Sequence, residues 1–195
     1  MHQPPAEHVH WLFATGFLLL GLCLLARAIV GNEVWSRRAW RAYLWPSLLF
    51  GLGVLMWPVM VFFTNSTIHM VAHGAWAQTM MLAGAAELGL VRGKLHARAW
   101  RLCLPLALAV SGIALLVHEQ NGWYFARAAF LHHALGWTAL IGALFPLLLV
   151  FRPQARVWGA GLALTLVVAS VFLYSDRDVA PVFGHLSPLA GEPHR

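Results

Sequence analysis

Six long apolar segments, separated by short connections, dominate this sequence. A helix needs about 20 apolar residues to cross roughly 30 Å of hydrocarbon, and each segment approaches that length. A helix is the structure expected for them because it satisfies its own backbone hydrogen bonds inside a bilayer. The spans are predicted at residues 11–30, 43–63, 67–90, 100–118, 128–151 and 156–174. We therefore expect an all-α, multi-pass bundle at residues 1–175 and an irregular extracytoplasmic tail at 176–195.

The composition excludes a water-soluble domain. Hydrophobic residues make up 60% of the chain and charged residues 10%, whereas soluble domains average about 45–50% and about 25%. The formal net charge of +6 comes from basic residues that lie between apolar runs, which indicates membrane topology rather than nucleic-acid binding. The two cysteines, Cys23 and Cys103, have neither disulfide-framework nor metal-site spacing.

The basic residues also predict an orientation. Lys and Arg cluster around the first, third and fifth connections, whereas the second and fourth carry almost none. The positive-inside rule therefore places the odd connections in the cytoplasm and both termini outside it, so we expect a multi-pass protein of the inner (plasma) membrane. The N-terminus lacks the basic region and cleavage site of a signal peptide, so we expect the first span to be retained.

Histidine is frequent, with 11 residues, and ten of these fall on the predicted extracytoplasmic side. His69 and His73 are one helical turn apart, so their side chains point about 40° from each other and are suited to one metal or cavity. His118 closes the fourth span, and His132 and His133 open the fifth. Adjacent residues point about 100° apart on a helix, so one of the last two is expected to face a given centre. Since ionisable residues at membrane depth are usually functional, these five histidines form the candidate metal layer.

Methionines supply possible soft ligands near this layer. The third span carries Met70 and Met80 on or beside its histidine face, which continues to Glu87. Met56 and Met60 have the one-turn spacing on the second span, where core packing is the simpler interpretation. Imidazole combined with thioether suits copper, particularly Cu(I).

The segment Ile68–His73, which reads IHMVAH and opens a span on the outer side, resembles two families of polytopic bacterial membrane proteins. They are the copper-resistance D type and the copper-handling cytochrome c oxidase assembly type. The resemblance covers spans three to five, roughly half of the chain. It implies delivery or passage of copper at the outer membrane face, with His69, His73 and Met70 as the matching positions. The HEQNGW connection and the His132–His133 pair are not part of this resemblance, so it assigns no role to residues of spans four and five.

The leading hypothesis is a copper carrier, importer or metallochaperone that exchanges copper through the outer histidines, with an extracytoplasmic metal partner. A b-type haem protein for electron transfer is nearly as well supported, with His73 and either His132 or His133 as the axial ligands. Three further residues are suited to pack around the porphyrin: Trp76, Gly136 and Trp137.

Two more hypotheses remain open. In an intramembrane zinc hydrolase, three histidines would hold zinc and Glu119 would act as general base. In an accessory subunit of a larger membrane complex, the histidines would only pack or bind lipid. His8 and His10, which precede the first span, either fold over the outer mouth or belong to a solvated terminus, and we favour the solvated terminus.

Overall fold

The structure is a computed structural model that describes residues 4–63, 67–117 and 126–177. Within these ranges the chain forms six long helices and one short helix, joined by short connections. The helices are α1 (Ala6–Val30), α2 (Asn32–Ser36), α3 (Ala39–Phe63), α4 (Thr67–Val91), α5 (Cys103–Val117), α6 (Ala126–Phe151) and α7 (Arg156–Tyr174). A 3-10 turn, Arg98–Leu102, leads directly into α5.

Five segments of the described chain are long and apolar enough to cross a membrane. They are residues 6–30, 39–62, 98–117, 129–151 and 156–174. The prediction of an all-helical, multi-pass membrane protein is therefore confirmed. Cys23 and Cys103 are both free thiols, as their spacing indicated.

The remaining long helix, α4, differs from these five in polarity rather than in length. It has 25 residues, as many as α1 and α3, but contains two histidines, Gln78 and Glu87. It packs between α3 and α5. Its place as a sixth span therefore stays a prediction.

The first helix begins five residues earlier than predicted. Pro5 precedes α1, and the polar residues Glu7, His8 and His10 continue the helix outward from the apolar run. The opposite end of α1 stops at Gly31, whose φ of 90° favours glycine. The N–H of Gly31 donates to the carbonyl oxygen of Arg27 at 2.9 Å, and the short helix α2, which the sequence did not predict, follows at once.

The six long helices form a closed ring. Helix α1 packs against α3 and α7, and the circuit continues from α3 through α4, α5 and α6 back to α7. Neighbours run antiparallel: Trp11 near the start of α1 contacts Asp176 after the end of α7. Large apolar side chains on the outside of the ring, such as Leu19, Phe62 and Leu82, are exposed as they would be toward lipid.

Small residues allow neighbouring helices to approach closely at several points in the ring. A Cβ added at Gly84 on α4 would lie 2.6 Å from the backbone nitrogen of Phe50 on α3. A Cβ at Gly112 on α5 would lie 2.8 Å from the carbonyl oxygen of Gly136 on α6. Such contacts are how membrane helices gain van der Waals packing in the absence of a hydrophobic driving force.

Gly84→Ala is expected to destabilise the bundle by about 1–3 kcal/mol, because the added methyl group meets backbone that cannot rotate away. The matched control is Gly51→Ala on α3, where an added Cβ meets nothing within 4 Å. Thermal unfolding of both variants in detergent, followed by circular dichroism, measures the difference. Equal midpoints for the two variants would show that the α3–α4 contact is looser than described.

Candidate functional site

The ring of helices encloses a central cavity of about 130 Å³. All six long helices contribute side chains to its wall, and most of these side chains are apolar. An ordered water needs about 10–15 Å³ of such space, so the cavity can hold an ion or a small group of atoms together with several waters. A mostly apolar cavity with a few converging polar groups is the usual form of a binding site.

Three histidines line one end of this cavity. His10 lies in the second turn of α1. His73 is the seventh residue of α4, and His132 is the seventh residue of α6. Because α1, α4 and α6 all begin at this end of the ring, these three histidines line the same end of the cavity. We call this end the histidine end. His132 is buried, and His73 is half-buried.

The structure distinguishes between the two adjacent histidines of α6. His132 lines the cavity, whereas the side chain of His133 is exposed. Of the three residues expected around a porphyrin, Trp76 lines the cavity. Trp137 is 59% exposed, and Gly136 lies against α5, so neither belongs to the cavity wall.

Several predicted ligands lie outside the part of the chain that the structure describes. His118 and Glu119 fall between residues 117 and 126. The backbone of His69 and Met70 belongs to α4, but their side chains are outside the description.

His10 is held by a carboxylate from the other end of the chain. Its Nδ1 lies 2.5 Å from Oδ2 of Asp176, a residue that is 4% exposed. The indole N–H of Trp11 donates to the backbone carbonyl of Asp176 at 3.2 Å. A carboxylate on one imidazole nitrogen fixes the orientation of the ring, which is the usual arrangement behind a metal-ligating histidine.

An aromatic cluster crosses the cavity one turn below the histidines. The ring of Trp76 on α4 packs at 5.9 Å from Phe13 and at 6.2 Å from Phe17, both on α1. Since α1 and α4 are not neighbours in the ring, this contact spans its interior. We call these three rings the aromatic floor of the histidine end.

Two methionines line the cavity farther from the histidine end. Met56 on α3 and Met80 on α4 are both buried and belong to the cavity wall. The other described methionines of these helices pack between helices instead: Met60 reaches Gly74, and Met81 reaches Gly53. Soft thioether donors therefore follow the imidazoles along the same cavity.

No three His, Cys, Asp or Glu side chains in residues 4–63, 67–117 and 126–177 are close enough together to hold one metal ion. The donors of the described cavity are distributed along its length.

A second cavity of about 370 Å³ lies at the opposite end of the ring, which we call the arginine end. Glu87, the acidic residue of α4, lines it together with Arg27, Arg101 and Arg156. Glu87 is therefore separate from the histidine cavity, although the two share a helix.

An apolar layer separates the two cavities. Four residues line both of them and thus mark the boundary: Leu24, Trp45, Leu104 and Leu162. All four are buried hydrophobic side chains of the core. The layer offers no polar ligand between the methionines and the arginine end.

The sequence placed His10 in a solvated terminus and Asp176 at the start of an irregular tail, whereas the structure buries Asp176 against His10. A signal for His10 was present, because His10, Phe13, Phe17 and Leu20 follow one another at the three- and four-residue spacing of a buried helix face. No comparable signal marked Asp176, which is brought to His10 by the packing of α7 against α1.

Comparisons of this chain with protein-family models, with curated proteins and with solved structures found no match.

Asp176→Asn is expected to lower the stability of the protein by about 1–3 kcal/mol, because it weakens a buried, charge-assisted contact with His10. The control is Glu7→Gln, which removes a pair with an exposed histidine, His8, at 3.9 Å. Exposed pairs contribute about 0–1 kcal/mol. Thermal unfolding in detergent compares the two variants, and an Asp176→Asn midpoint equal to that of Glu7→Gln would refute the anchoring role.

Proposed function

We propose that this protein binds copper in the histidine end of its central cavity, as a carrier or metallochaperone of the bacterial inner membrane. In this proposal the six long helices all span the bilayer and both termini are extracytoplasmic. The observation that supports it most strongly is the single cavity that three imidazoles from separate helices and two thioethers share.

The distribution of basic residues supports the orientation. The residues around the three connections at the arginine end include Arg37, Arg38, Lys94, Arg98 and Arg152. An excess of Lys and Arg marks cytoplasmic connections, so the histidine end would face outward. Copper would then meet His10, His73 and His132 first.

The donor set supports the choice of metal. Imidazole and thioether groups together favour copper over the harder cations, and thioethers favour its reduced form. The carboxylate of Asp176 would orient His10 as a ligand in the way that carboxylates support other metal-bound histidines. Ligand exchange from the imidazoles to Met56 and Met80 would then move the ion deeper without any change of oxidation state.

The arginine end argues against passage through the membrane. An ion beyond Met80 would meet the apolar layer and then a cavity lined by three guanidinium groups and one carboxylate. This environment repels a cation. We therefore favour entry and exit of copper by the same outer mouth over import.

A b-type haem is the second candidate, favoured by one observation. His73 and His132 face one apolar cavity from two helices that are not neighbours, and Trp76 lies beside them. The cavity of about 130 Å³ is smaller than a porphyrin, so these helices would have to separate to admit one. Two imidazoles on separate helices are the usual axial ligands of such a haem.

The absorption spectrum and the metal content of the purified protein separate the candidates. A reducible Soret band indicates haem, and stoichiometric copper without that band indicates the carrier. A colourless, metal-free protein would favour the accessory-subunit role, and zinc alone the hydrolase.

His73→Ala and His132→Ala are each expected to weaken Cu(I) binding by about tenfold or more, the effect of losing roughly 1.4 kcal/mol of ligand binding energy. The matched control is His133→Ala, since His133 is adjacent to His132 but exposed outside the cavity. Competition with a chromogenic Cu(I) chelator measures the three affinities. Equal affinity in all three variants would contradict the cavity as the copper site.

Copper affinity is expected to fall as the pH decreases from about 7.5 to 5.5. Histidine side chains ordinarily titrate near pH 6.5, and a protonated imidazole cannot bind the metal. The same chelator competition, repeated across this range, tests the dependence. A pH-independent affinity would indicate that thioethers alone bind the ion.

A further inference from the structure

The wall of the cavity at the arginine end carries more positive than negative charge. Three guanidinium groups, those of Arg27, Arg101 and Arg156, and one carboxylate, that of Glu87, give its wall a formal net charge of +2. Two neutral polar side chains, Asn32 and Gln154, also line it. The volume of about 370 Å³ is large enough for a polyatomic anion with several waters.

The side chain of Arg27 is held in place through its Nε, while its terminal nitrogens remain available as donors. Its Nε donates to Oδ1 of Asn32 at 2.7 Å, and its guanidinium lies over the ring of Trp45 at 5.8 Å. Neither terminal nitrogen of this guanidinium forms a hydrogen bond within the described part of the chain. A planar, half-buried guanidinium with two available nitrogens is suited to bidentate binding of an oxyanion.

Arg156 is held against the turn between α1 and α2. Its Nη1 donates to the carbonyl oxygen of Ile29 at 3.5 Å. Its guanidinium also lies so close to Gly31 that a Cβ there would be 2.5 Å from Nη2. Gly31, which α1 needs in order to end, thus also leaves space for this arginine.

Arg101 and Glu87 complete the charged wall. Arg27 and Arg101 both interact electrostatically with Glu87, but Glu87 forms no ion pair within 4 Å and accepts no hydrogen bond among the described residues. The guanidinium of Arg101 likewise has no hydrogen bond there. These charged groups therefore line a common space without a direct ion pair between them in the described part of the chain.

We propose that the cavity at the arginine end binds a phosphate-bearing anion, held by the guanidinium groups of Arg27, Arg101 and Arg156. Phosphate is the class that fits because its charge and its several acceptor oxygens match three guanidinium groups that line one cavity. The phosphate would belong either to the headgroup of an anionic phospholipid or to a soluble phosphate compound. The carboxylate of Glu87 lies on the same wall and repels an anion, so it lowers the affinity for phosphate. This proposal does not depend on copper binding at the other end.

The test compares Arg101→Gln with Arg98→Gln in the full-length protein. Both residues are exposed in the same 3-10 turn, but only Arg101 lines the cavity. Calorimetric titration with inorganic phosphate in a neutral detergent at low salt forms one arm of the experiment. In the other arm, native mass spectrometry counts the phosphatidylglycerol retained from vesicles of phosphatidylglycerol and phosphatidylcholine.

We expect Arg101→Gln to weaken binding by about tenfold in at least one arm, the loss of one charge-assisted contact, while Arg98→Gln remains within about twofold of the unmodified protein. An effect in the phosphate arm identifies a soluble phosphate as a competent ligand. An effect confined to retained phosphatidylglycerol identifies the lipid headgroup as the source. Absence of binding in both arms, or equal effects of the two substitutions, overturns the proposal.

Glu87→Gln supplies an independent check. Removal of an opposing carboxylate should leave phosphate or lipid binding unchanged or make it tighter. A loss of binding in Glu87→Gln would overturn the proposal, because it would show that the cavity depends on the carboxylate for a cation. Arg27→Lys keeps the charge but removes the planar fork, so it should weaken binding while the protein remains folded.

Discussion

The antiparallel packing of α1 against α7 joins the two ends of the chain and closes the ring of helices. This packing runs along the whole length of both helices. The contact between Trp11 and Asp176 lies at the histidine end, Gly21 lies against Ala163 near the middle, and Arg156 reaches Ile29 at the arginine end. Without this closure the apolar faces of the remaining helices would surround no enclosed space. The central cavity is therefore a consequence of a contact between residues more than 120 positions apart.

Closure gives the two ends of the ring opposite chemistry. The histidine end combines basic nitrogen donors with soft sulfur donors around an aromatic floor, which is suited to a transition metal. The arginine end presents guanidinium groups to a larger, more polar cavity, which is suited to an anion. The apolar layer at Leu24, Trp45, Leu104 and Leu162 keeps the two apart.

Much of the fold was readable from the chain because the bilayer demands apolar length and internal hydrogen bonding of every span. The predicted 156–174 segment coincides with α7, and the predicted 43–63 segment lies within α3. The errors lie at the ends. The start of α1 and the short helix α2 were missed because polar residues there, such as His10 and Asn32, form hydrogen bonds with other side chains, which apolar length does not report.

The candidate site was less predictable than the fold. The one-turn spacing that drew attention to His73 is a property of α4 alone, whereas His10 and His132 join it through the arrangement of three helices. Helical geometry predicted that His132 and His133 would diverge, but only the packing of α6 decided which of them faces inward.

By itself, the sequence determined that the chain is helical and crosses a membrane several times, since a chain with 60% hydrophobic residues and 10% charged residues has too little polar surface for water. The tertiary structure alone decided that the helices close into a ring, that Asp176 orients His10, and that Glu87 lies among arginines rather than below the histidines. The physical reason is that hydrophobicity acts on each segment separately, whereas a cavity exists only where the side chains of several segments meet.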